Sequence, residues 1–240
     1  MTSEPKWAMY IDGYNFYYAI KNELPSNQLH LAWCDFSRLA REIIDGRGVL
    51  SRIKYFTALV DGFERGEVEK ARQALWLRAV ESIPLLEVVR GFHSGPYSGD
   101  PSLRYTKRKE KETDVNIALA LVGDADKQVY DHAILVSGDY DQMPAARKVT
   151  QEFMRTVEVW LPPGESITRR WKAFAGEERV SVRSINAAML KRAKLPDTIP
   201  HPGGAIDAPT VWRATESSPP PATLPSSPHP VVRRLTKRST

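Results

Sequence analysis

The sequence predicts an α/β protein, a three-layer sandwich with a mostly parallel central sheet. Three observations predict it. Short apolar runs alternate with amphipathic stretches along most of the chain. Two of the apolar runs, AMYI (8–11) and AILV (133–136), end abruptly in polar rims that carry aspartate. The apolar fraction, 42% of 240 residues, is compatible with a real core, and no internal repeat offers another architecture.

Taken in order, AMYID (8–12) reads as a strand ending in Asp-Gly, and YNFYYAIKN as the start of a helix. DFSRLAREII (35–44) has helical apolar spacing, with Asp35 or Ser37 as its cap. VLSRIKYFTALV (49–60) is a strand, EVEKARQALWLRAVES (67–82) an amphipathic helix and LLEVVRGFHS (85–94) another strand. A polar loop, GPYSGDPSLRYTKRKEK, leads into a helix at 113–128. DHAILVSG (131–138) is a buried strand, MPAARKVTQEF a helix and RTVEVWLP (155–162) a fifth strand. ESITRRWKAFA and SINAAMLKRAK read as helices, with ERVSVR between them as an edge strand.

These elements divide into a main domain over 6–162 and a C-terminal helical extension over 163–195. From 196 to 240 the chain holds ten of its 18 prolines and little periodic hydrophobicity. Such a segment buries too little apolar surface to offset its ordering entropy, so a disordered tail is expected. Its end, VVRRLTKRST, is basic. It suits nucleic acid or a protein partner, or serves only as a solubilising tail.

The net charge is +5 and the isoelectric point about 9.3, which suits a polyanionic partner. The lone Cys34 permits no internal disulfide and points to a reducing, cytoplasmic setting. No apolar core follows a basic start, so no signal peptide is expected, and no run is long enough for a membrane span. The five histidines have no metal spacing.

In an open α/β sheet, ligands bind beyond the carboxyl ends of the strands, where the strand order reverses. If the strands ending at Asp12 and before Asp139 are neighbours there, both acids share one rim. Asp141 lies just beyond, and Asp114 opens the helix that leads into the second of these strands. Crowded carboxylates raise one another's pKa unless a cation compensates them. Mg²⁺ or Mn²⁺ prefers such oxygen donors and, once bound, suits phosphodiester hydrolysis. The second Gly-Asp-x-Asp copy, at 123–126, follows a helix instead of a strand and is expected at the opposite edge of the sheet.

IDGYNFYY, KETDVNIALAL and YDHAILVSGDYDQMPAARKV together resemble the NYN domain. This is a family of PIN-like nucleases that includes the LabA-like proteins of bacteria. The resemblance covers residues 6–162 and implies a PIN-like, Rossmann-type fold and a metal-dependent ribonuclease using Mg²⁺ or Mn²⁺. Asp12, Asp114, Asp139 and Asp141 match its acidic pocket, Asn15 its asparagine and Ser137 its serine. The products it implies carry a 5′-phosphate and a 3′-hydroxyl. Gln142 departs from the pattern, since the family has an aromatic there that packs or lines the rim.

Each residue also has a plainer reading. Asp12 suits an Asp-Gly turn, while Asp139 and, closer to the helix start, Asp141 suit helix caps. Asp114 suits the first turn of a helix. Asn15 either bonds local backbone or orients Asp12 or a phosphate, and Ser137 either orients Asp139, meets a phosphate or satisfies the strand end. Tyr14 is the member of its aromatic cluster that faces the rim. Lys107, Arg108 and Lys111 are expected to contact phosphates, with Tyr105 stacking on a base.

The expected partner is therefore single-stranded RNA, no membrane is expected, and a homo-oligomer is compatible with the sequence. A second hypothesis is a module that binds RNA or a nucleotide in the same pocket without cutting. A third, less favoured, is a phosphatase of the haloacid-dehalogenase type. It needs an acid two residues after its first aspartate, where Tyr14 stands.

Overall fold

The computed structural model describes residues 3–59, 62–93 and 110–213, with 62–65, 92–93 and 110–111 described by their backbone alone. Six strands lie parallel: β1 (Lys6–Asp12), β2 (Val49–Ala58), β3 (Leu86–His93), β5 (His132–Val136), β6 (Thr156–Leu161) and β7 (Val180–Ser184). A two-residue strand, β4 (Glu110–Lys111), pairs antiparallel with β3 at one edge. The order is β4-β3-β2-β1-β5-β6-β7, so the direction of winding reverses between β1 and β5.

Both faces of the sheet are covered, and β1 shows why. Trp7, Met9 and Ile11 point into one core, and Ala8 and Tyr10 into the other. Alternate residues of a strand face opposite sides, so a strand apolar at every position needs helices on both. On the first face pack α1 (Gly13–Glu23), α2 (Phe36–Ile44), α3 (Gly62–Glu81) and α7 (Ala187–Arg192). On the second pack α4 (Thr113–Asp126), α5 (Met143–Glu152) and α6 (Arg169–Phe174). This is the mostly parallel three-layer sandwich that the alternation predicts.

Asp35 caps α2, accepting from the backbone N–H groups of Ser37 and Arg38. The α3 backbone leaves the helical region at Gly66 (φ +78°), a conformation cheap for glycine alone. The helix expected from Glu165 starts only at Arg169, where the Thr168 hydroxyl caps it.

The first part of the tail expected from 196 onward is ordered instead. Residues 196–213 fold, with β8 (Thr198–Ile199) and β9 (Ile206–Asp207) forming a small ladder. Trp212 is buried and packs against Trp33 and Trp76. The Trp33 indole N–H donates to the Pro196 carbonyl across 2.8 Å. The prolines do not prevent this, because Ile199, Ile206, Ala208 and Trp212 are spaced apolar anchors. The remaining tail, 214–240, lies outside the described residues. Among the described residues, no helix is long and apolar enough to cross a membrane.

Candidate active site

The site forms where the winding reverses. β1 and β5 are hydrogen-bonded neighbours, with Ile11 beside Val136, so the chain leaves both strands at one place. Asp12 ends β1 and is buried. Its Oδ1 accepts from the Asn15 backbone N–H across 2.9 Å and so caps α1. Its Oδ2 accepts from the Ser137 hydroxyl across 3.3 Å. The same hydroxyl accepts from the Asp139 N–H at 3.0 Å, and Asn15 Oδ1 accepts from the Gly138 N–H at 2.7 Å. Two of these bonds, Ser137 to Asp12 and Gly138 to Asn15, tie the end of β1 and the start of α1 to the turn after β5, and the other two order each segment locally.

Ser137 is fully buried, which sets it beneath the rim, with its hydroxyl spent on Asp12 and Asp139. The hydroxyl is thus turned toward the two acid-bearing segments and away from the cleft's opening to solvent. Asn15 likewise spends its carbonyl on Gly138. Asp139, rather than Asp141, is the capping acid: its Oδ1 accepts from the Asp141 N–H at 2.8 Å and starts a 3₁₀ turn over 140–142. Asp141 stays exposed.

Asp114 lies in the first turn of α4 and faces a cleft of about 490 Å³ that Asp12, Glu23, Glu112 and Glu165 also line. Its side chain is open to solvent by area, yet partial burial lifts its carboxyl above the ordinary range, helped by Asp139 and Asp141. That coupling places these acids within electrostatic reach of one another. Tyr14 lines the same cleft and donates its hydroxyl to the Ala58 carbonyl at 3.0 Å.

Two participants escape the sequence reading. Glu165 is half-buried, and burial, Glu23 and Asp139 raise its carboxyl in that order. A Cβ on Gly138 would stand 1.8 Å from Glu165 Oε2, so the glycine lets that carboxylate lie against the turn after β5. The other is Gln142, which is buried and donates its amide to the Asp114 carbonyl at 3.3 Å. The departure from an aromatic therefore ties two acid-bearing segments together. Gln142 Oε1 and Thr113 Oγ1 are buried without a hydrogen-bond partner among the described residues.

The Asp124 copy sits at the other edge of the sheet. It is buried and accepts from the Tyr10 hydroxyl (2.9 Å), with Arg52 (3.0 Å) and Lys54 (3.2 Å) as ion-pair partners. Lys107 and Arg108, expected to contact phosphates, lie outside the described residues, as does Tyr105. Lys111 is described by its backbone, which pairs with Phe92.

The charged groups that line the cleft are all carboxylates among the described residues, and hard oxygen donors of this kind are what a divalent cation such as Mg²⁺ takes. Among the described residues, no three acids, histidines or cysteines stand close enough to cage a metal ion. The arrangement fits an ion held by one or two carboxylates that keeps several waters, as Mg²⁺ does, and not one held in an all-protein cage.

Comparison with known proteins decides the family. The NYN domain profile matches residues 6–175, well over half of the chain. The chain belongs to the NYN domain family. The match runs past the expected boundary at 162 and takes in Glu165. The nuclease-like α/β fold of the NYN family accords with the sheet described above. A curated relative, the 6-hydroxy-3-succinoylpyridine 3-monooxygenase HspA of Pseudomonas putida, is 27% identical over 232 residues, covering 83% of this chain and 73% of its own. A solved structure, the protein of unknown function VPA0982 from Vibrio parahaemolyticus, is 17% identical with a TM-score of 0.49, covering 78% of this chain and 96% of its own.

Proposed function

We propose that this NYN protein is a divalent-metal-dependent ribonuclease that hydrolyses phosphodiester bonds in single-stranded RNA. The observation that supports it most is the hydroxyl of Ser137, which bonds both the Asp12 carboxylate and the Asp139 amide. It links the carboxylate that ends β1 to the backbone of the acid that follows β5, at the point where α/β sheets bind ligands.

Asp12, Asp114, Asp139 and Asp141 would hold Mg²⁺ or Mn²⁺, one or two of them directly and the others through the ion's waters. Such an ion, when bound, eases deprotonation of a water and offsets charge on a phosphate. Asn15 and Ser137 keep the acids aligned, and Gln142 holds Asp114 in place from behind. Glu165, which is not one of those four acids and whose carboxyl is raised first by burial, suits proton exchange with the attacking water or the leaving oxygen. Lys107, Arg108 and Lys111 engage the phosphates on either side, and Tyr14 borders the scissile position.

The test is purified protein with Mn²⁺ and an end-labelled single-stranded RNA. Cleavage that disappears with chelator and in Asp139→Asn supports the proposal. Binding without cleavage, unchanged by Asp139→Asn, favours a non-catalytic RNA- or nucleotide-binding module.

A second reading draws on the curated relative, whose name gives it a hydroxypyridine acid as substrate. An aromatic-walled cleft beside Tyr14 and Tyr18 favours it, because such walls suit a planar ring. Loss of 6-hydroxy-3-succinoylpyridine in air, with a two-electron reductant such as NADH present, would support that reading over the nuclease.

A further inference from the structure

A second cleft, about 430 Å³, opens beside the acidic one, and Tyr14 and Tyr18 line both. The two tyrosine rings stack 6.0 Å apart at an interplanar angle of 10°. The far wall is aromatic as well: Tyr17 meets Trp212 edge to face at 6.2 Å, and Trp212 meets Trp76 at 5.7 Å. Polar groups stand among the rings. Trp76 donates its indole N–H to the Tyr55 hydroxyl at 3.0 Å, and Gln73 donates to the Ala58 carbonyl at 2.8 Å.

Charge changes sign between the two clefts. Among the described residues, the acidic cleft is lined by Asp12, Asp114 and three glutamates with no lysine or arginine. Among the described residues, the second cleft is lined by Lys21 and Arg72 against one acid, Glu69. Lys21 Nζ lies 5.8 Å from the Tyr18 ring centre, within cation–π range. A site with aromatic walls and a net cationic rim selects a flat ring that brings a negative group with it.

We infer that this second cleft is a subsite for a planar heteroaromatic ring carrying a neighbouring anionic group. Two sources share that chemistry. One is a nucleotide of the strand being cut, its base among the tyrosines and its phosphate toward Arg72 and Lys21. That assignment rests on the nuclease reading and follows from the continuity through Tyr14 and Tyr18. The other is a free heteroaromatic acid of the kind named for the Pseudomonas relative. The subsite itself needs neither activity.

The test is binding to the full chain with chelator present, so that no metal-dependent step intervenes. Adenosine 5′-monophosphate, uridine 5′-monophosphate, ribose 5-phosphate and 6-hydroxy-3-succinoylpyridine are titrated separately. Quenching of tryptophan fluorescence and saturation-transfer NMR report contact, since Trp76 and Trp212 line the cleft. A ring-bearing anion should bind about tenfold or more tightly than ribose 5-phosphate, the worth of one stacked base. Arg72→Ala should weaken that binding about tenfold or more, the scale of one charge-assisted contact, with the chain still folded by thermal melt.

Equal binding of ribose 5-phosphate, no binding of any ring, or no effect of Arg72→Ala overturns the subsite. Binding of the pyridine acid alone overturns the nucleotide assignment. If the nucleotides bind but RNA stays intact, the nuclease reading fails and the ring subsite stands. If RNA is cut and no ring binds, the reverse holds.

Discussion

The buried Ser137 hydroxyl reaches Asp12 Oδ2 across 3.3 Å and, through its oxygen, holds the Asp139 N–H at 3.0 Å. One small side chain therefore couples the acid that ends β1 to the acid that follows β5. Replacing it with alanine leaves a backbone donor without its acceptor, at a cost of about 1–3 kcal/mol. Ser137→Ala should lower stability to urea by that amount and reduce RNA cleavage further than its folded fraction explains. Parallel denaturation and cleavage curves check this, and cleavage that merely follows the folded fraction would rule out an orienting role.

Gln142 should behave differently. Its amide donates to the Asp114 carbonyl, but its own Oε1 has no partner among the described residues. Losing one bond while removing one unsatisfied atom is close to neutral, so Gln142→Leu should shift stability by less than about 1 kcal/mol. Cleavage should nevertheless fall, because the first turn of α4 loses its tether. A variant that is both stable and fully active would show that Asp114 needs no such support.

The raised carboxyls of Asp114 and Glu165 predict a pH effect. An acid whose folded pKa lies above its unfolded value is easier to protonate when folded. Its relative stability is fully present below the unfolded value, about pH 4, and is lost as pH rises through the folded one. The metal-free protein should therefore lose stability as pH climbs from about 4 through the raised range. Asp114→Asn should be more stable than wild type at neutral pH and no more stable below about pH 4. Thermal melts across pH in chelator measure it, and an unchanged difference at every pH would remove the claim that burial and the neighbouring acids raise the Asp114 carboxyl.

Gly138→Ala addresses Glu165. The added Cβ would meet the far end of a flexible carboxylate, at 1.8 Å from Oε2, so the side chain can swing away. The fold should lose no more than about 1 kcal/mol, within the ordinary range for a single substitution. Mn²⁺-supported cleavage should fall as Glu165 leaves the turn. Glu165→Gln should show a similar loss, and an inactive Gly138→Ala beside an unaffected Glu165→Gln would place the fault in the turn itself.

Much of this site is legible in the sequence, for reasons of range. A strand that ends in Asp-Gly, or in Ser-Gly-Asp, announces its own rim, and α/β connectivity brings two such ends together. Glu165 is not legible, because it follows β6 in a loop with no local pattern and meets Asp139 only through the sheet order. Gln142 reads as a mismatch until its long-range partner is known. Trp212 is hidden by composition: prolines dominate its surroundings, while its contacts, Trp33 and Trp76, are far upstream.

That last contact can be tested by truncation. Ending the chain after residue 213 should leave stability unchanged. Ending it after 195, or making Trp212→Ala, should cost about 3–5 kcal/mol, the scale for removing a buried aromatic. Chemical denaturation of the three proteins decides it, and a fully stable 1–195 chain would return the whole segment to the tail.

The most direct measurement is Mn²⁺ binding followed by electron paramagnetic resonance, with cleavage of labelled single-stranded RNA recorded on the same samples. Asp12→Asn and Asp139→Asn should each weaken Mn²⁺ binding by about tenfold or more and reduce cleavage in proportion. Undiminished Mn²⁺ affinity in both variants, or cleavage that persists in chelator, would contradict the proposal.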